Sequence, residues 1–253
     1  MQTSIQGFPR MGAGRELKFA LEGYWKGTVT EEGLRDAGAA VRGANYALYA
    51  ECGLDYAPVG DFSFYDKMLD TALMLGVIPE RFAAHEELKG LDLYFAMARG
   101  TTAWGRQIEP LSLKKWFNTN YHYLVPEVSA NQRYRLHAEE LLALVDEAVA
   151  CGVGNPVPVL IGPCTFLALS DVPEGVCLRS HAGAIARLYA SLVGELAERG
   201  VEWVQVDEPA LVMEPLPLPR EAIEAAFAEL SDRRPVKICL QTCPLPKPVT
   251  WPC

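Results

Sequence analysis

The chain has 253 residues, half of them hydrophobic and 22% charged, which suits a globular body with a sizeable core and excludes a disordered or low-complexity chain. With 23 Lys and Arg against 32 Asp and Glu, the formal charge of −9 argues against nucleic acid or an anionic membrane as a partner, so an anionic ligand needs a local basic site. No run approaches the ~18 apolar residues of a membrane span, and seven Cys without a C-x-x-C pair fit a reducing compartment, so a cytoplasmic protein is expected.

Gly7 to Gly12 forms a short lead, after which Leu17, Ala20, Leu21, Tyr24 and Trp25 fall at helical spacing. Arg15, Glu16 and Lys18 stand in the first turn of that helix. Cations there suit an anion bound at the free N–H groups but oppose the helix dipole; the rival reading is an exposed helix start with a Glu16–Lys18 surface pair. Thr30 is placed to cap a second helix with a stripe of Leu34, Val41, Ala44 and Leu48, ended by Gly53. In LDYAPVGDFSFYDKML a short strand to about Val59 turns through Gly60 to Asp61, and a helix carrying Met68, Leu69, Ala72 and Leu73 follows. Weaker signals come next, with a helix near Leu91 to Arg99 and a Gly-rich loop from Gly100 to Gly105.

Lys114 to Glu127 gathers Asn118, Asn120, Tyr121, His122 and Tyr123 into a polar aromatic patch, a density unusual for plain core, although His122 taken singly also fits a structural histidine. A helix through Leu141, Leu142, Val145 and Val149 ends at Gly152. The strand VPVLIGPCTFLAL and a helix from about His181 to Arg199 follow. In VEWVQVDEPALV the apolar run reads as a buried strand that Pro209 closes, leaving Asp207 and Glu208 at its C-terminal tip. In α/β folds that tip is where ligands bind, though either carboxylate could equally cap a neighbouring element. A Pro-rich loop, the helix Glu221 to Leu230 and the strand VKICLQT complete the alternation. It predicts an α/β fold of the (β/α)₈ barrel type, with strand positions near Phe8, Val59, Phe117, Leu160, Val204 and Ile238: about six of the eight units that closure requires.

In order along the chain, GFPR, GRELK, PVGDFSFYD, KKWFNTNYHY, LIGP and WVQVDEPALV resemble the N-terminal domain of cobalamin-independent methionine synthases, from Gly7 to about Thr242. The resemblance implies two face-to-face barrels that transfer a methyl group from 5-methyltetrahydrofolate polyglutamate to homocysteine. It also implies that the N-terminal barrel grips the glutamate tail, through positions matching Arg15, Glu16, Leu17, Lys18 and Lys115 here. The family's zinc and its ligands lie in the C-terminal barrel, which would also handle homocysteine. No metal and no catalytic residue is therefore expected in this chain; His122 with Cys164, and Cys239 with Cys243, lack a recognisable second ligand pair. Asp61, Asn118, Asn120, His122, Asp207 and Glu208 are candidate cleft residues.

The tail CPLPKPVTWPC departs from the family pattern, so residues 1–242 are read as a partial N-terminal barrel and 243–253 as an aberrant extension. An incomplete barrel would have open edges and need a partner, such as a separate C-terminal barrel, to cover them. Three other readings stand beside this one: a hydrolase using the strand-tip carboxylates, a non-catalytic folate-binding scaffold, and a non-functional remnant.

Overall fold

The computed structural model describes residues 2–103, 106–230 and 236–242; the tail from Cys243 lies outside the described residues. In chain order the elements are α1 (Glu16–Trp25), α2 (Glu31–Glu51), β1 (Ala57–Val59), α3 (Lys67–Met74), α4 (Glu80–Ala83) and α5 (Gly90–Arg99). Next come β2 (Thr101–Ala103), β3 (Arg106–Ile108), β4 (Leu113–Lys115), β5 (His122–Leu124), α6 (Glu139–Ala150), β6 (Pro156–Ile161) and α7 (Pro163–Ala168). The last are α8 (Leu178–Glu198), β7 (Trp203–Asp207), a 3-10 turn over Pro209–Val212, α9 (Arg220–Leu230) and β8 (Lys237–Gln241).

Parallel strands lie in the order β1-β6-β7-β8. A parallel bridge from Ser4 to Tyr56 extends the row beyond β1, because Tyr56 N–H donates to Thr3 and the next N–H, of Ala57, donates to Asn155 on the other edge. Spatial order therefore follows chain order, with helices between the strands, as in a singly wound barrel wall. Val204 and Val206 are fully buried and join Ile185, Tyr189 and Leu192 of α8 in the larger core. Each such side chain contributes about 1.5–3 kcal/mol of burial. Trp203, Gln205 and Asp207 alternate to the opposite face, in register with Lys237, Cys239 and Gln241. A second cluster joins Leu17 and Leu21 of α1, Leu34 of α2, Leu69 of α3, Tyr94 and Phe95 of α5 and Leu124 of β5.

The elements differ from the sequence expectation in five places. The expected loop from Gly100 to Gly105 contains β2, paired antiparallel with β3, and residues 104 and 105 lie outside the described residues. The position near Phe117 is not a parallel strand: β4 and β5 form an antiparallel hairpin, with Phe117 in its turn at φ 50°. All three residues of β4 are exposed, which a strand inside a parallel sheet covered on both faces cannot be. Near Phe8 there is only the Ser4 bridge, and the Phe8 N–H is taken by the Asp61 side chain. VPVLIGPCTFLAL is strand only as far as Ile161, since Gly162 and Pro163 open α7. On α2, Ala44 and Leu48 face solvent, and the buried line is Leu34, Gly38, Val41, Arg42, Tyr46 and Tyr49. Thr30 accepts from Gly33 N–H at 3.1 Å, and Gly53 ends α2 at φ 66°.

Candidate functional site

At the C-terminal ends of the strands, Glu208 is the residue that departs most from expectation. Its side chain is wholly buried, and its carboxylate accepts from Cys164 N–H at 2.9 Å, Thr165 N–H at 2.6 Å and the Thr165 hydroxyl at 2.6 Å. Those N–H groups are free donors in the first turn of α7, so the carboxylate closes the start of that helix. The fit needs Gly162, because a Cβ there would stand 2.1 Å from Glu208 Cδ. Burial raises the Glu208 pKa against the pull of these bonds. Being fully buried with its oxygens turned to the start of α7, Glu208 faces away from solvent and not into the open cleft expected of it, and it does not pair with Asp207.

Asp207 and Asp61 remain partly exposed. Asp207 accepts from Gln205 Nε2 at 2.8 Å, and Asp61 accepts from Phe8 N–H at 2.8 Å. Both carboxyl groups are pushed up by burial and drawn back by these hydrogen bonds and by the ammonium of Lys67, a residue with no signal in the sequence. Lys67 itself donates to the Gly60 carbonyl and exerts the same pull on Asp70.

At the start of α1, Arg15 is in the left-handed region at φ 63°, ψ 34°, exposed and without a side-chain cap bond. Glu16 folds back, both oxygens accepting from Gly14 N–H at 3.1 Å. Leu17 is fully buried and seats this turn on the second core cluster. Lys18 lies 3.4 Å from Glu22, a solvent-facing pair contributing ~0–1 kcal/mol. Lys115 is exposed on β4 opposite His122. Asn118, Asn120 and His122 are exposed around the hairpin turn, with a His122 ring nitrogen 3.0 Å from the Asn120 carbonyl. Of the five positions expected from the family resemblance to grip the tail, only Arg15, Lys18 and Lys115 offer positive charge to solvent; Glu16 bonds Gly14 and Leu17 is buried.

Between α1 and the hairpin lies a buried polar chain absent from the sequence expectation. Asp66 caps α3 through Leu69 N–H at 3.1 Å, and it also accepts from the Tyr121 hydroxyl at 2.7 Å and Leu124 N–H at 3.2 Å. Tyr94 OH accepts from the N–H groups of Tyr65 and Asp66 and donates to Asp70 at 2.7 Å. Ser63 donates its hydroxyl to Asp70, and its carbonyl accepts from Arg10 at 2.6 Å. Burial raises Asp66 and lifts Asp70 to about 6. The signal in the sequence was Asp66 in N-cap position before KMLD, with Asp70 one turn later on the same helix. A cavity of about 530 Å³ opens beside this chain, lined by Lys67, Asp70, Tyr94, Arg42 and Leu141; none of the sequence-predicted residues faces it.

Among the described residues no group of three or more His, Cys, Asp or Glu side chains is placed to hold a metal. Cys164 is enclosed in the larger core with its thiol pushed up by burial, whereas His122 is exposed. No helix among the described residues is long and apolar enough to cross a membrane.

Parallel strands in chain order with helices between them define an α/β protein of the barrel type. Two solved structures share that fold: a B12-independent methionine synthase from Shewanella (TM-score 0.57, 13% identity, 85% of this chain and 54% of that one) and a putative one from Listeria monocytogenes (TM-score 0.59, 12% identity, 96% and 64%). The chain belongs to the family described as cobalamin-independent synthase, N-terminal domain, whose pattern matches residues 2–243. Among curated relatives, the 5-methyltetrahydropteroyltriglutamate–homocysteine methyltransferase of Nitratidesulfovibrio vulgaris is 46% identical over 230 residues, 91% of this chain and 29% of that protein. The same-named protein of Streptomyces griseus is 42% identical over 236 residues, 92% and 30%. This chain thus spans about 30% of the length of these relatives.

Proposed function

We propose that the chain is the tail-gripping part of a cytoplasmic methyltransferase that makes methionine from homocysteine and a 5-methyltetrahydrofolate polyglutamate. What supports the reading is the pairing of 46% identity to a relative named for that reaction with exposed cations on the matching motif. No described side chain pairs with Arg15 or Lys115. A triglutamate tail presents several carboxylates; Arg answers them by bidentate pairing and Lys as a point charge. Glu16 and Leu17 act as the frame, one bonding Gly14 and the other buried in the core.

The chain would not catalyse by itself. Homocysteine and the zinc that would hold it as thiolate belong, in this reading, to a second barrel outside these residues; the thiolate is the nucleophile, and coordination removes the thiol proton near neutral pH. The test is binding to two variants. Lys18→Ala and Lys115→Ala should each weaken methyltetrahydrofolate triglutamate more than the monoglutamate, with the loss shrinking as salt rises. Equal losses for both ligands would sink the proposal.

A further inference from the structure

The hairpin that carries Lys115 is short, and β4 is exposed along its whole length. Its strands are three residues each, and a two-stranded ribbon of that size does not hold itself in place in water. Its position is instead set from outside: Tyr123 and Leu124 of β5 are buried in the two core clusters, the Tyr123 hydroxyl donates to the Leu169 carbonyl at 2.9 Å, and one carboxylate ties both ends of β5 to α3. Asp66 accepts from the hydroxyl of Tyr121, the residue before β5, at 2.7 Å and from the N–H of Leu124, at its end, at 3.2 Å. Tyr121 in turn receives the Trp116 N–H on its carbonyl at 2.7 Å, and Trp116 follows Lys115 directly.

The anchor is itself held. Asp66 is 1% exposed, caps α3, and has its own N–H donated to Tyr94, which is bonded to Asp70. Asp70 takes the Ser63 hydroxyl, and Arg10, on the segment leading into α1, donates to the Ser63 carbonyl. One hydrogen-bonded chain therefore runs from the approach to Arg15 and Lys18 to the strand pair that presents Lys115. A charged acceptor makes these bonds stronger than neutral ones, and the burial of Asp66 at their centre strengthens them further.

We propose that Asp66 and Tyr121 are positioning residues of the anion grip: they hold the hairpin so that Lys115 stands at a fixed place relative to the α1 cations. Neither touches the ligand. The inference rests on the tail-grip reading above and adds to it where the grip derives its geometry.

The test is a double-mutant cycle by titration calorimetry on the full chain, with methyltetrahydrofolate triglutamate as ligand and the monoglutamate as control. Tyr121→Phe removes one hydroxyl and keeps the ring. It should weaken the triglutamate roughly tenfold and leave the monoglutamate unchanged, while Tyr121→Phe added to Lys115→Ala should cost nothing beyond Lys115→Ala alone. A merely structural weakening would instead add in full to Lys115→Ala, and that result overturns the proposal. So does an unaltered triglutamate affinity in Tyr121→Phe when Lys115→Ala binds weakly, which leaves the tail-grip reading intact. If Lys115→Ala itself binds normally, the grip reading fails and this inference fails with it. Should Tyr121→Phe not fold by circular dichroism, Asp66→Asn enters the same cycle with the same expectations, because the amide keeps an oxygen acceptor and the α3 cap.

Discussion

Replacing Glu208 with Ala separates a structural carboxylate from a cleft residue. The substitution removes the acceptor of three hydrogen bonds, two of them from the backbone N–H groups of Cys164 and Thr165. Thr165 keeps one partner, because its hydroxyl also accepts from Ala210 N–H at 3.2 Å. The two N–H groups have none left within the first turn of α7. Each buried donor left unsatisfied costs about 1–3 kcal/mol, offset in part by the desolvation that a buried carboxylate no longer carries. The expected loss is ~2–5 kcal/mol, a large part of the ~5–15 kcal/mol that a folded domain has in hand. Urea unfolding followed by circular dichroism at pH 7 would read it as a lower midpoint at unchanged slope. A loss under about 1 kcal/mol, coupled to a loss of folate binding, would refute the argument and return Glu208 to the cleft.

Gly162→Ala should destabilise by a similar mechanism, since its Cβ would collide with Glu208; combining it with Glu208→Ala should cost less than the sum of the two, and additivity would show that the contact is not the cause. Asp70→Asn tests the buried chain through pH. The folded-state pKa of Asp70 is raised from 3.8 to about 6, so its contribution to stability is fully present below the lower value and is lost as pH rises through the upper one. The stability of the native protein relative to Asp70→Asn should fall across that window by up to ~1.4 kcal/mol per pH unit, and a difference independent of pH would contradict the assignment. Thr30→Ala should cost ~1 kcal/mol in a thermal melt through loss of the α2 cap; an unchanged melt would show that the bond to Gly33 contributes nothing.

Periodicity and end signals made the scaffold legible. Thr30 and Gly53 bound α2 because a hydroxyl acceptor and a residue tolerant of positive φ are local requirements that the chain states directly. The apolar run before Asp207 is a strand for the same kind of reason. The hairpin was not legible: Phe117 at φ 50° is a conformation that only its tertiary setting explains, and aromatic residues at alternate positions look alike in a parallel strand and an exposed ribbon. Adjacent Asp207 and Glu208 necessarily point to opposite sides of their strand end, but which side holds α7 depends on Gly162, more than forty residues away in sequence. The Asp66 chain is not legible in the sequence because its partners Tyr94 and Tyr121 come from distant segments and carry no spacing of their own.

Titration calorimetry of the unmodified chain with methyltetrahydrofolate bearing one glutamate and then three tests the central claim most directly. The tail-grip account predicts measurable binding of the triglutamate form, weakening as salt rises, and much weaker binding of the monoglutamate. A folded sample that binds neither form, or both equally, would contradict it.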